Sequence, residues 1–146
     1  MTDASAKAPW HLWAVGIVAV LFNAIGVFDF TMAMAQGAKY LESAGMTPPQ
    51  IAHYLGMPGW ATVIWAIGVF AAFIASILLL MRRRLAYPVF VLSLAAFAVH
   101  LFYEYVLTNG GALMGQQMAI VSAVITALLV FFAWYSRMMT ARGVLR

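Results

Sequence analysis

Residues 60–84 read WATVIWAIGVFAAFIASILLLMRRR, and this stretch decides the fold class. No charged residue occurs from Trp60 to Met81, and a segment of this length crosses a hydrocarbon core of about 30 Å as one helix. Three arginines follow at once, as is typical of a helix that ends at the membrane surface. The stretch therefore predicts a transmembrane helix whose carboxyl end is anchored by Arg82, Arg83 and Arg84.

The rest of the chain repeats this pattern of long apolar runs with short polar breaks. Its 146 residues are 66% hydrophobic and 8% charged, with a mean hydropathy of +0.96, which is too little polar surface for a soluble globule. The runs predict spans at about 12–35, 60–81, 86–107 and 118–138. We expect an all-α integral membrane protein with a single domain, 1–146, in which four transmembrane helices form a bundle. The first run is too long for the apolar region of a cleaved signal peptide, so we expect it to be retained.

The few charged residues predict the orientation of the bundle. Placing residues 82–84 in the cytoplasm puts seven of the eight basic residues on that side and leaves Lys39 alone on the other. The positive-inside rule then predicts that both termini are cytoplasmic. Because the basic residues flank the spans, the net charge of +4 indicates a lipid bilayer as partner and no nucleic acid. The chain has no cysteine, which excludes disulfides and thiol chemistry.

The longest connection joins the first two spans and has helix signals of its own. Thr47-Pro48-Pro49-Gln50 matches a capping box with proline at the first helical position. It predicts a short amphipathic helix from Pro48 to Leu55 in the outer loop, with Ile51, Tyr54 and Leu55 on its apolar side. That side can rest on the membrane or cover the bundle, and we interpret the segment as a packed connection rather than a gating lid.

Two of the four acidic residues, Asp29 and Glu104, lie inside predicted spans. A charged side chain at the bilayer centre costs several kcal/mol, so such a residue indicates a partner, a wet cavity or a function. At 1.5 Å per residue, Asp29 lies about 25 Å along its helix, Glu104 about 27 Å and His100 about 21 Å. In the predicted topology all three therefore lie at similar depth, in the outer part of the bilayer.

The residues around these acids predict a shared polar pocket. His100 and Glu104 are four residues apart on one helix face and can hydrogen-bond, whereas Asn23 and Asp29 lie on one side of the first helix. The sequence predicts an outward-facing substrate or proton site formed by Asp29, Asn23, His100, Glu104 and Tyr103. The alternative is that the acids are hydrated near the interface or hold helices together through hydrogen bonds.

Metal and cofactor signals are weak. His100, Glu104, Asp29 and His53 are the candidate metal ligands by residue type, but two ligands four residues apart do not define a metal. His11 and His100 lie toward opposite ends of the bundle, which argues against a haem between them. No nucleophile-and-base spacing, phosphate loop or nucleotide fingerprint occurs in the chain. We therefore predict no cofactor and no catalytic residue.

Three stretches carry a resemblance to a known group of proteins: PWHLW at 9–13, NAIGVFDF at 23–30 and ARGVLR at 141–146. They resemble small proteobacterial inner-membrane proteins with four spans that are often labelled sugar transporters. The resemblance implies a bacterial inner-membrane location and a transport function, and it extends to Asn23 and Asp29 as positions that look like the group's pattern. The importance of Glu104 depends on the depth argument alone.

Three functions remain open on the sequence. The first is a small-solute transporter, sugar-like or proton-coupled, which with four spans predicts a homo-oligomer. The second is a non-catalytic accessory or assembly subunit of a larger membrane complex. The third is a membrane enzyme that acts on lipid or quinone and uses the polar cluster as acid and base. We rank them in this order.

Overall fold

The structure is a computed structural model that describes residues 7–146, so residues 1–6 of the predicted domain lie outside the described residues. The described chain is helical almost throughout and contains no strand. Its helices are α1 (Trp10–Gln36), α2 (Ala38–Ser43), α3 (Pro48–Leu55), α4 (Gly59–Leu80), α5 (Ala86–Phe102) and α6 (Gly110–Ala141), with a π-helical segment (Tyr103–Leu107) after α5. α1, α4, α5 with the π-helical segment, and α6 are each long and apolar enough to cross a membrane. The predicted all-α membrane protein with four spans is confirmed.

The fourth span differs from its prediction at its start. α6 begins at Gly110 rather than near Met118, and its backbone is interrupted at Gly115, where φ is +80°. Glycine adopts this left-handed region without the steric cost that a side chain brings. The apolar pattern locates only the part of a helix that lies in hydrocarbon, so the polar turns that extend α6 at this end were missed.

The four long helices pack in chain order. Across residues 7–146, close backbone packing joins α1 to α4, α4 to α5 and α5 to α6. The side of α1 that carries Asn23 faces the bundle, because Gly16, Ala19 and Asn23 are all buried. A Cβ atom on Gly16 would lie 2.3 Å from Cδ2 of Leu80, so a larger residue here would require the Leu80 side chain to move.

One end of the bundle is tightly closed, and we call it the arginine end because the turn with Arg82–Arg84 lies there. The largest buried side chains cluster at this end and come from all four long helices: Leu12, Leu79, Phe90, Phe132 and Met139. Nδ1 of His11 and the Tyr135 hydroxyl are in hydrogen-bond contact and connect α1 with α6. At the arginine end α1 and α6 therefore contact each other through side chains of a packed apolar core.

The opposite end, which we call the loop end, carries α2 and α3. α3 has the predicted bounds, and the Thr47 N–H donates to Oε1 of Gln50 at 3.0 Å, as a capping box requires. The Tyr54 ring packs edge-on against Trp65 of α4 with centroids 5.1 Å apart, so α3 covers the bundle. α2 was not predicted, since its six residues carry no apolar period long enough to indicate a helix.

Candidate functional site

A cavity of about 650 Å³ lies between the four long helices and beneath α2 and α3. Its volume is within the range of small-molecule sites, which is about 300–1,000 Å³. Most of its lining side chains are aliphatic or aromatic. The polar minority comprises Asn23, Asp29, Tyr40, Tyr54, Ser93, His100, Glu104, Tyr105 and Ser122, with the indole of Trp65. Four of the five residues predicted for a polar pocket therefore line one cavity.

Asp29 is held by a residue that the sequence did not indicate. The Tyr40 hydroxyl donates to Oδ1 of Asp29 at 2.7 Å, because the chain turns at Gly37 and returns α2 over the end of α1. This hydrogen bond, with burial and the carboxylate charge, raises the pKa of Tyr40 above its ordinary value. Among the described residues Asp29 makes no ion pair, so a neutral phenol is its partner.

Asn23 serves as a link between two helices. Its side-chain Nδ2 donates to Oγ of Ser76 on α4 at 2.8 Å, and Ser76 donates in turn to the Ala72 carbonyl at 2.8 Å. Asn23 and Ser76 are both buried. Interhelical bonds of this kind hold transmembrane helices together. Asn23 therefore lines the cavity and also joins its α1 and α4 walls.

Glu104 is buried at 5% exposure and pairs with a histidine from α3. Nε2 of His53 lies 3.1 Å from Oε2 and 3.4 Å from Oε1 of Glu104, so α3 is attached to the π-helical segment. The Tyr103 ring stacks on His53 with centroids 6.2 Å apart. Tyr103 does not line the cavity and supports the pair from the side.

The expected hydrogen bond between His100 and Glu104 is absent. Nε2 of His100 lies 4.0 Å from Oε1 of Glu104, which is longer than a hydrogen bond. The two residues still face each other within ion-pair distance, but the carboxylate of Glu104 lies closer to Nε2 of His53 on α3. The buried Nδ1 of His100 has no hydrogen-bond partner among residues 7–146.

Gly110 completes this side of the site by its lack of a side chain. A Cβ atom at this position would lie 2.0 Å from Oε2 of Glu104 and 2.6 Å from Nε2 of His53. The backbone at the start of α6 therefore lies directly against the His53–Glu104 pair. The Gly110 N–H donates to the Thr108 hydroxyl oxygen at 3.1 Å rather than to the Glu104 carboxylate.

Tyr54 lies close enough to both acids to respond to each of them. Burial is the largest cause that raises its pKa, followed by the negative charges of Asp29 and Glu104. Tyr54 is on α3, outside the spans, and covers the loop end of the cavity. The two acids that the sequence placed on separate helices thus act on one common side chain.

The candidate metal ligands do not converge. Within residues 7–146, no three His, Asp or Glu side chains are arranged to hold a metal ion. His53 and Glu104 form one pair, whereas Asp29 is bonded to Tyr40 on α2. The candidate ligands are therefore divided between two separate pairs.

The cavity has exposed rims on two helices. The lining residues Ile25 and Phe28 of α1 are 67% and 59% exposed, and Ile120 and Val124 of α6 are 56% and 50% exposed. The lining residues of α4 are all less exposed than these four. Beside α5, Tyr105 is the one described lining residue with a similar exposure. Since α1 and α6 do not pack closely by backbone, the cavity opens sideways between them toward the surface that faces lipid.

The fold and the cavity define a class: a polytopic, all-α membrane protein with a partly polar internal cavity near one end of the bundle. No protein-family model, no curated protein sequence and no solved structure matches the chain.

Proposed function

We propose that the protein is a small-molecule transporter of the bacterial inner membrane, with the cavity as its substrate site. The observation that carries the proposal is the asymmetry of the bundle: it is packed shut at the arginine end, and it encloses about 650 Å³ with two carboxylates toward the loop end. With the arginine end in the cytoplasm, as the basic residues favour, the cavity belongs to an outward-facing state.

Asp29 and Glu104 are the groups that would bind protons in exchange for the substrate. Carboxylates inside a membrane protein mark ion paths and proton relays. Here each accepts a contact from a helix of the loop end, Tyr40 of α2 for Asp29 and His53 of α3 for Glu104. Protonation of either acid changes the hydrogen bonds that hold α2 or α3 in place, which would couple proton binding to the cover of the cavity. Four spans are few for a complete pathway, so the proposal includes a homo-oligomer.

The test is uptake into proteoliposomes under an imposed proton gradient with the membrane potential clamped. The probes are radiolabelled glucose, a polar solute that the resemblance of residues 23–30 suggests, and radiolabelled tetraphenylphosphonium, a lipid-soluble cation. We expect protein-dependent uptake of one probe, its loss in Asp29→Asn and its retention in Glu42→Gln, a matched control at an exposed acid of α2. Uptake of both probes equal to that of protein-free vesicles would refute transport of either class.

A second candidate, an accessory subunit, is favoured by the gap between α1 and α6. The exposed apolar rims of α1 and α6 can accept a helix of a larger membrane protein. This function predicts a defined complex with that protein in native mass spectrometry from mild detergent, and an unchanged complex in Asp29→Asn. A protein that runs alone as a homo-oligomer would contradict the accessory function and support the transporter.

A further inference from the structure

The cavity has the charge and the walls of a site for a lipid-soluble cation. Its lining contains two carboxylates, and none of the described residues that line it is Lys or Arg. The histidine beside Glu104 can compensate that acid when protonated, but Asp29 has only a neutral phenol as partner. A carboxylate without a counter-charge beside aliphatic and aromatic walls favours a cationic ligand, because no positively charged side chain of the described cavity lining competes for it.

The walls select against very polar ligands. A sugar would need a hydrogen-bond partner for nearly every hydroxyl, and burial of an unpaired hydroxyl costs about 1–3 kcal/mol. Several of the polar groups present are already engaged: Asn23 with Ser76, Tyr40 with Asp29, and Ser93 with the Gly68 carbonyl. A small metal ion is equally disfavoured, since no three suitable ligands converge among residues 7–146.

Aromatic rings add a second attraction for a cation. Phe22, Phe28, Tyr40, Tyr54, Trp65 and Phe97 all line the cavity. The faces of Trp and Tyr attract cations within about 6 Å of the ring centre, most strongly where water is excluded. Trp65 is fixed by an edge contact from Phe30, with centroids 4.6 Å apart, and by Tyr54. Apolar groups of a ligand therefore find aromatic walls close to the acid.

The gap between α1 and α6 supplies the route. Exposed cavity-lining residues occur on both helices, Ile25 and Phe28 on one side and Ile120 and Val124 on the other. A molecule dissolved in the outer leaflet can reach the cavity between them without passing through water. A polar solute gains nothing from such an opening, whereas a lipid-soluble molecule is concentrated there by the bilayer.

From these four features we infer that the cavity binds lipid-soluble organic cations, with Asp29 as the counter-charge and Trp65 among the aromatic walls. The inference rests on the proposed function in taking the cavity as the substrate site, and it names the substrate class. Charge selects the ligand at Asp29, and the aromatic and aliphatic walls select for apolar groups around that charge.

The test compares two ions of nearly the same shape and opposite charge. Tetraphenylphosphonium and tetraphenylborate are added to the purified protein in mild detergent, and binding is followed by equilibrium dialysis against protein-free micelles. We expect saturable binding of the phosphonium and only micelle partitioning of the borate. Equal binding of the two ions, or no saturable binding of the phosphonium, would overturn the inference, and this comparison needs no variant.

Variants then locate the site. Asp29→Asn is expected to weaken phosphonium binding by at least about tenfold, as the loss of one close charge pair implies. Glu42→Gln keeps the affinity, because Glu42 is exposed on α2 and does not line the cavity. Asp29→Asn is used only if it elutes and melts as the wild type does. An unchanged affinity in a folded Asp29→Asn protein would remove Asp29 from the site and overturn the inference.

Binding and transport fail separately. If the protein binds phosphonium saturably but proteoliposomes take up neither probe, the inferred ligand class stands and the proposed transport function is contradicted. Uptake of glucose by a protein that binds no phosphonium would support transport and refute a site for lipid-soluble cations.

Discussion

Gly110→Ala is the substitution whose effect follows most directly from the geometry. The added Cβ would lie 2.0 Å from Oε2 of Glu104 and 2.6 Å from Nε2 of His53. A carbon and an oxygen in ordinary contact are about 3.3 Å apart, so the carboxylate must retreat by about 1.3 Å. Glu104 is buried and is held by His53 at 3.1 Å, and a displacement of that size separates the pair.

The expected cost combines overpacking and a lost hydrogen bond. Overpacking costs about 1–3 kcal/mol, and a hydrogen bond to a charged group is worth about 1.5–3 kcal/mol. One movement of Glu104 relieves the overlap and breaks the contact, so the two do not add fully. We expect the free energy of unfolding to fall by about 2–3 kcal/mol.

The assay is reversible unfolding in mixed micelles titrated with a denaturing detergent and followed by circular dichroism. Gly59→Ala is the matched control, because Gly59 is also the first residue of a long helix and an added Cβ there meets no atom within 4 Å. We expect the control to change stability by no more than about 1 kcal/mol, in the stabilising direction.

A double-mutant cycle attributes the cost to the carboxylate. In a Glu104→Ala background the closest atom is gone, so Gly110→Ala should cost less there by about 1–3 kcal/mol. If Gly110→Ala is as stable as Gly59→Ala, the reasoning is refuted, because Glu104 can then move away from the added Cβ without cost. If Gly110→Ala costs the same with and without the Glu104 carboxylate, the reasoning is also refuted, because the carboxylate is then not the source of the cost.

Three further outcomes are expected. The Tyr40 phenol should ionise at higher pH than an ordinary tyrosine, because it donates a hydrogen bond to Asp29 and the Asp29 charge repels the phenolate. The difference in phenolate absorbance between the wild type and Tyr40→Phe, followed against pH, measures this pKa. If the Tyr40 pKa does not fall in an Asp29→Asn background, the explanation is contradicted. Asn23→Ala should lower the free energy of unfolding by about 0.6–1.5 kcal/mol in the same detergent titration. If Asn23→Ala costs as much in a Ser76→Ala background, the hydrogen bond between Asn23 and Ser76 is not the source of the cost. Since the chain has no cysteine, Lys39→Cys provides one label site, which should react with an impermeant maleimide in intact cells; reaction only after permeabilisation would reverse the proposed topology.

The number and type of spans could be predicted because hydrocarbon leaves few alternatives. Backbone groups without water must bond within their own segment, so an uncharged run such as residues 60–81 becomes a helix. The same reasoning does not reach the polar ends, where water satisfies the backbone equally well in several conformations. α2 and the first turns of α6 were missed for this reason.

The candidate site was predictable in part. The rise per residue along each helix indicates that Asp29 and Glu104 reach the same depth, and both line the cavity. Their partners were not indicated: Tyr40 and His53 come from short helices after two chain reversals, and no periodic pattern relates them to the acids. His100 and Glu104 lie within ion-pair distance as predicted, but the hydrogen bond between them is not formed, because the Glu104 carboxylate bonds to His53 of α3 instead.

By itself the sequence determined that this is a four-span membrane protein and that its two acids lie at a similar height along their helices, because both depend on one-dimensional quantities, the apolar length and the helical rise. Tertiary structure alone decided which groups meet the acids and where the bundle is open. Gly16 permits close packing of α1 on α4, and the apolar core closes the arginine end. Toward the loop end α1 and α6 stay apart around the cavity. The sequence does not show this arrangement, because helix packing depends on side chains that are far apart in the chain.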